Sequence, residues 1–201
     1  VTRQLALPIQ PPPAPSLDNF VPGANAELLA RLRELAAGRC AEAVIYLWGA
    51  PGSGRSHLLR ASARAGVSVA DDVERLDATT QLALFNAINQ AREAGGTVLA
   101  AGAAPPAQLG LREDLRSRLG WGLVYEVKPL TDADKARYLH AEAERRGFAL
   151  SDEVASYLLT HARRDMPSLR AVLEHLDRTS LEQQRAVTLP LAREALRALE
   201  P

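Results

Sequence analysis

The sequence predicts an α/β body built on a parallel sheet, followed by a C-terminal helical bundle. Three observations carry this. Short apolar, β-branched runs alternate with helical patterns as far as Pro129, the arrangement that buries a parallel sheet between two helical layers. A glycine-rich loop, Gly49–Ser56, joins the first of these runs to a helical pattern. Beyond Pro129 the strand pattern stops and four helical segments follow one another. At 201 residues the chain is one domain, or one domain with a small appendage. The expected divisions are a peptide and tether at 1–16, the α/β body at 17–129 and a helical lid at 130–201.

Taken in order, Ile9–Ser16 places four prolines in the five positions 11–15, which favours an extended polyproline tether without internal hydrogen bonds. Asn25–Ala37 reads as a helix with Leu28, Leu29, Leu32 and Leu35 on one stripe and Gly38 at its C-cap. Ala43–Trp48 is a buried strand, which places Trp48 in the core. After the glycine loop, Leu58, Leu59 and Ala61 mark a helix, and Val67–Ala70 is a second strand ending in Asp71 and Asp72. Asp77–Ala94 is a helix with Leu82, Phe85, Ile88 and Ala91 at core spacing, stopped by Gly95 and Gly96. Thr97–Ala101 and Leu123–Val127 are the third and fourth strands, with a helix-compatible stretch, Leu111–Leu119, between them. In the C-terminal third, helices are expected over Ala133–Arg146, Asp152–Ala162, Ser168–Gln184 and Leu189–Leu199. Thr131–Asp132 and Ser151–Glu153 supply caps and first-turn acids, and Gly147 supplies a stop.

Composition narrows the function classes. The chain is 47% hydrophobic and 24% charged, ordinary for a folded soluble protein. Lys+Arg and Asp+Glu both number 24, so the net charge is zero, which argues against a protein held on DNA or a membrane by bulk charge. A single cysteine, Cys40, excludes an internal disulfide framework and a cysteine-rich zinc site. His57, His140, His161 and His175 show no metal-ligand spacing. No apolar run approaches the roughly 20 residues of a membrane helix, and the first residues, Val1–Pro8, lack a signal-peptide core. The cytoplasm is therefore the expected compartment. Lys128 and Lys135 are the only lysines, a bias read, with the many alanines, as genome composition.

Gly49, Ala50, Pro51, Gly52, Ser53, Gly54, Arg55 and Ser56 fit a phosphate loop in which Arg55 stands where lysine belongs. Glycines let backbone N–H groups approach phosphate oxygens, the cation meets the β- and γ-phosphates, and the hydroxyl reaches Mg²⁺. The helix that follows adds its positive N-terminal dipole. Asp71 would hold Mg²⁺ through water, together with Ser56, and Asp72 would be the acid nearest an attacking water; the alternative for this pair is a cap region ahead of Asp77. Arginine is bulkier than lysine and forked, and it fits poorly where lysine bridges two phosphates. Nucleotide binding is expected to survive, with the diphosphate favoured and turnover by this chain weak or absent.

With these residues the chain resembles the DnaA-related AAA+ family and, within it, the Hda family of DnaA regulatory inactivators. Four segments carry the resemblance: Gln4–Ile9, similar to that family's sliding-clamp motif; Gly52–His57, with arginine in the loop and His57 after the hydroxyl; Ser117–Gly122, similar to the box that holds its arginine finger; and Arg164–Met166 with Leu176–Arg178, similar to its lid. The resemblance, over residues 3–199, implies an AAA+ P-loop module with a C-terminal helical lid, ADP or ATP with Mg²⁺ as cofactors, and DnaA and the DNA polymerase sliding clamp as partners. Phe20–Asn25 matches the adenine-side entry segment, which makes Val21 and Asn25 nucleotide contacts, or else a capped helix start. Three departures stand out. Pro167 follows Met166 where relatives carry a sensor arginine, which neither Arg164 nor Arg170 replaces in position. Gly102–Pro106 lacks the relatives' aspartate. Between Ser56 and Asp71 relatives have a further strand and helix, so either the sheet lacks one strand or a segment is missing, since a direct crossover would be tight.

The function implied is a clamp-bound regulator that stimulates ATP hydrolysis by DnaA and so limits replication initiation. Arg118 would be the finger, although Arg112, Arg116 and Arg118 among Glu113 and Asp114 could equally form a solvated helix face. Trp121 is open to an interface or a core role. Gln4, Leu5, Leu7, Pro8 and Ile9 would hook the clamp, or else dock on the protein's own core. DNA is then contacted only indirectly, because no further DNA-binding helices follow the last lid helix before Pro201, and a homodimer stays open. The rival readings are a self-sufficient AAA+ ATPase or clamp-loader-like motor, and a nucleotide-free scaffold linking clamp to DnaA.

Overall fold

A computed structural model describes residues 14–163 and 165–199. They form two compact units, Ala14–Pro129 and the segment from Leu130 onward. In the first, four strands, β1 (Val44–Trp48), β2 (Val67–Ala70), β3 (Thr97–Gly102) and β4 (Leu123–Glu126), make one parallel sheet in the order β2-β3-β1-β4. Side chains alternate across a strand, and the alternation divides the core in two. Ile45, Leu47, Leu99 and Ala101 face one side, against Leu28, Leu29 and Leu32 of α1 (Ala26–Ala36) and Leu58 and Leu59 of α2 (Arg55–Ser62). Val44, Tyr46, Val98 and Ala100 face the other, against Leu84 and Ile88 of α3 (Ala78–Ala94) and Leu115 and Leu119 of α4 (Glu113–Leu119). Each fully buried leucine here contributes about 1.5–3 kcal/mol of transfer free energy.

Among the described residues the sheet has four strands, with β2 at one edge. The path from β1 to β2 runs through residues 49–66, with β3 lying between the two strands. That suffices for a parallel crossover, which needs about 10–12 residues, because α2 is only eight residues long and Gly66, at φ +81, turns the chain sharply into β2. Strand order reverses between β1 and β3: β1 leads to β2 on one side, and β3 leads to β4 on the other. A crevice at the carboxyl ends of the strands at such a reversal is where open α/β sheets bind ligands.

The expected spans hold to within a residue or two, and β2 and the last helix fall where the sequence places them. One core assignment is corrected. Leu82 is 43% exposed, whereas Leu84 is buried. The helix is turned so that its 84–88 ridge meets the sheet and α4, leaving Leu82 on the outer flank. Trp48, expected in the core, is half-buried and packs against the α3–α4 side.

The second unit is four helices, α5 (Asp132–Arg145), α6 (Asp152–His161), α7 (Met166–Gln183) and α8 (Leu189–Leu199), around their own core, which includes Leu139, Leu158, Leu169, Leu173 and Ala192. Its helix starts are set by caps. Thr131 and Asp134 form a reciprocal capping box, Ser151 accepts from the Val154 N–H, and Asp165 accepts from the Ser168 N–H. Pro167 sits in the first turn of α7, where its missing N–H costs nothing. Among the described residues no helix is long and apolar enough to cross a membrane.

Candidate functional site

The glycine loop leaves the carboxyl end of β1 and enters α2 directly. A Cβ at Gly49 would collide with the Val127 carbonyl beside it, so only glycine fits there. Gly52 (φ +79) and Gly54 (φ +104) take left-handed backbone, and nothing lies within 4 Å of the space a Cβ would occupy at Gly52. Gly54 is the N-cap of α2 and offers no side chain to its first-turn N–H groups, which stay available to an external acceptor. Ser53 Oγ and Arg55 Nη1 are buried without a hydrogen-bond partner. Buried polar atoms are normally paired. Two orphaned donors and an uncapped helix start, converging on an open loop, fit a phosphate-bearing ligand. Ala50 and Pro51 are exposed on the loop, and Ser56 is half-buried in the first turn of α2.

The acids at the end of β2 occupy two different positions. Asp71 is exposed, with one carboxylate oxygen accepting the Asp72 N–H at 3.0 Å. Asp72 adopts left-handed backbone, φ 47. Its carboxylate lies 3.9 Å from Arg55 Nη2 and 3.6 Å from Arg75 Nη1. The Arg55 side chain, only 11% exposed, thus reaches toward the acid that follows the edge strand β2.

Next to these, at the end of β3, two residues that sequence reasoning missed take part. Tyr46 Oη donates to the Ala104 carbonyl at 2.9 Å, and the Glu74 carboxylate accepts the Ala103 N–H at 3.2 Å. A Cβ at Gly102 would collide with the Tyr46 hydroxyl. Burial pushes the Tyr46 phenol well above its ordinary pKa, helped by the nearby Glu74 charge, so it stays a neutral donor. The only signal for this pair was the register that sets Trp48 beside Gly102, which no local pattern reveals.

The segment before α1 crosses the same loop. Ser16 and Asn19 close a reciprocal turn, and His57 Nε2–H donates to the Ser16 carbonyl at 2.9 Å. The Phe20 ring lies 5.6 Å from the His57 ring, and its Cε2 would be 2.8 Å from a Cβ at Gly54. Val21 is half-buried. Asn25 is buried, and its amide donates to the Pro22 and Lys128 carbonyls and accepts the Lys128 N–H. Its side chain therefore clips the entry of α1 to the end of β4.

Of the three α4 arginines, Arg112 pairs with Asp114 at 2.7 Å. Arg118 lies at the end of the helix, half-buried, with its guanidinium 3.7 Å from the Trp121 ring centroid and 5.5 Å from that of Phe85. Its Nη1 is buried without a partner. Trp121 is itself 57% exposed. In the helical unit, Met166 begins α7, Arg170 Nε donates to Tyr138 Oη at 2.8 Å, Asp177 lies 3.8 Å from Arg146, and Arg178 donates to His175 Nδ1 at 3.0 Å. Gln4, Leu5, Leu7, Pro8 and Ile9, and also Arg164, lie outside the described residues. Among the described residues no group of three or more His, Cys, Asp or Glu side chains could hold a metal ion.

Residues 132–196 match the family model described as "Hda, lid domain". Among solved structures, domain III of the Thermotoga maritima replication initiation protein DnaA aligns over 94% of this chain and 99% of its own, at 20% identity and a TM-score of 0.71. AMPPCP-bound DnaA from Aquifex aeolicus aligns over 79% of this chain at 20% identity and a TM-score of 0.66. This chain spans only 63% of that DnaA, and 64% of a DnaA bound to AMPPCP and single-stranded DNA. The Thermotoga maritima Holliday-junction branch-migration motor RuvB aligns over 92% of this chain and 72% of its own, at 16% identity and a TM-score of 0.67. The fold is thus similar to that of the DnaA AAA+ domains, and residues 132–196 of the helical unit are similar to the Hda lid domain.

Proposed function

We propose that this chain is a regulator of DnaA that lends Arg118 to the ATP held by DnaA, acting from the sliding clamp and hydrolysing little ATP itself. The observation that carries the reading is the pairing of an Hda-type lid with a cation, Arg118, that ends α4 of a DnaA-like body without a carboxylate partner among the described residues. Such a guanidinium, brought to a neighbour's γ-phosphate, offsets the charge that builds in the transition state. That is worth about 10³–10⁵ in rate, or roughly 4–7 kcal/mol of barrier.

The chain's own loop supports binding rather than turnover. ADP or ATP would be held by Ser53, Arg55 and the N–H groups of Gly52–His57, with Val21 near the base and Ser56 and Asp71 toward Mg²⁺. When bound, the nucleotide supplies the phosphate charge that the orphaned Ser53 and Arg55 donors lack. Arg55 is drawn toward Asp72, so the acid that would activate water carries a competing cation. The clamp hook is assigned to Gln4, Leu5, Leu7, Pro8 and Ile9, whose apolar side chains offer about 1.5–3 kcal/mol each before ordering costs.

The test is reconstitution of DnaA–ATP with DNA-loaded clamp, scoring hydrolysis with and without this chain. Wild-type chain should accelerate hydrolysis. Arg118→Ala should abolish the acceleration while leaving folding and clamp retention intact. Full stimulation by Arg118→Ala would overturn the reading, and steady turnover by the chain alone at roughly 1 s⁻¹ or faster would favour a self-sufficient ATPase instead.

A further inference from the structure

We propose that Trp121 is a positioning residue for Arg118: its ring holds the guanidinium in place and leaves its charge unneutralised for an incoming phosphate. The inference rests on the reading of Arg118 as the arginine finger and goes beyond it by assigning the group that aims it.

Trp121 is a large apolar side chain left 57% exposed, and its backbone is fixed on both sides. Gly120 closes α4, and the Trp121 N–H donates to the Arg118 carbonyl at 3.2 Å. Gly122 runs so close to β1 that any Cβ would collide with the Val44 backbone. The indole is therefore carried on a rigid corner. Arg118 lies over it at 3.7 Å, Arg92 lies 5.4 Å from the same ring, and Phe85 of α3 stands 5.5 Å from the Arg118 guanidinium. Among the described residues no carboxylate pairs with Arg118, while the neighbouring Arg112 is paired to Asp114.

This is a distinctive way to hold a cation. A carboxylate would hold it too, but would cancel its charge and compete with a phosphate for the same N–H groups. An aromatic face attracts the guanidinium through its π-quadrupole and leaves the donor edge, which lies in the guanidinium plane, free of acceptors. Arg118 Nη1 is buried without a hydrogen-bond partner, so no bond from that atom holds the guanidinium, while the Trp121 and Phe85 rings lie beside it. Without the ring, the long side chain would sample many rotamers, and each encounter would begin with a disordered donor.

The experiment uses the full chain in the DnaA–ATP hydrolysis assay. Trp121→Ala should lower the maximal stimulated rate about 2- to 30-fold, the range expected for loss of one cation–π contact, with the half-saturating concentration of the chain unchanged. Trp121→Phe and Trp121→Tyr, which keep an aromatic face, should recover most of that loss. In a Trp48→Phe background Trp121 is the only tryptophan, and Arg118→Ala should shift its emission to the red as the indole loses its cover. Full stimulation by Trp121→Ala, or a change confined to the half-saturating concentration, would overturn the proposal while Arg118→Ala stays inactive and the finger reading stands. An emission spectrum indifferent to Arg118→Ala would overturn it even if Trp121→Ala failed to fold. Full activity of Arg118→Ala would remove the finger reading and this inference together.

Discussion

Glu142 shows at the scale of one residue how the lid handles charge. Arg145 donates to its carboxylate at 2.6 Å and 2.8 Å, and Arg146 donates at 2.8 Å. The Arg145 hydrogen bonds lower the carboxyl pKa most; partial burial opposes them, Arg146 adds to them, and the result falls from 4.5 to about 2. The folded pKa is the lower one, so between the two values the unfolded chain binds more protons. The stabilisation is therefore complete above about pH 4.5 and is lost as pH falls through about 2. Because Arg145 is 69% exposed, solvent screening reduces the effect to the order of 1–2 kcal/mol. Glu142→Gln should lower stability at pH 7 by that amount and flatten its dependence between pH 5 and about pH 2, measured by urea denaturation across pH; an unchanged acid limb would show that the cluster contributes nothing. Arg55 is the counter-case. Its partner Asp72 is 41% exposed and 3.9 Å away, a loose pair, which leaves Arg55 free to turn to a stronger anion.

At the scale of the element, the entry to α1 exchanges a local cap for a long-range clip. Asn25 stands at the N-cap but makes no side-chain capping bond; its amide joins Pro22 to Lys128, 103 residues away along the chain. Asn25→Ala would remove the amide partner of the Lys128 N–H and carbonyl and should cost about 1 kcal/mol, read as a lowered denaturation midpoint with an unchanged slope. A loss below about 0.5 kcal/mol would mean that water replaces the amide without penalty. Elements were legible in the sequence where local chemistry marks both ends: α3 lies between Asp77, whose carboxylate accepts the Thr80 N–H, and Gly95 in left-handed backbone, and β2 runs from the Gly66 turn to Asp71. The face of α3 was not legible. Leu82, Leu84, Phe85 and Ile88 are all apolar, and only packing against the sheet and α4 decides that Leu84 goes in and Leu82 stays out. The candidate site divides the same way. The glycine loop is contiguous, and its residue types announce it. The Tyr46–Ala104 and Glu74–Ala103 contacts depend on strand register, and the orphaned state of Ser53 and Arg55 depends on burial, neither of which a one-dimensional pattern contains.

At the scale of the whole molecule, the chain carries two separate kinds of core, and this has a consequence for its stability. The α/β unit draws on contacts far apart in sequence, because β1 pairs with β3 and β4 and not with β2, the strand that follows it along the chain; formation of the sheet must overcome loop-closure entropy first. The helical unit from Leu130 onward draws its core from α5–α8 and from Leu150 in the turn between α5 and α6, and three of its helices start on side-chain caps, each worth about 0.5–2 kcal/mol. Its buried leucines and alanines come from all four helices, so α5 and α6 pack together, and α7 and α8 close the bundle against them. The unit thus carries its own core and its own helix starts. Residues 130–201 expressed alone should therefore fold into a helical bundle that melts cooperatively, although at this size its stability should be only about 3–5 kcal/mol. Circular dichroism and urea denaturation of that fragment test this. A cooperative transition with native-like helix content is the expected result, and a broad, non-cooperative melt would mean that the caps and the α5–α8 core are too weak to specify the bundle without the rest of the chain.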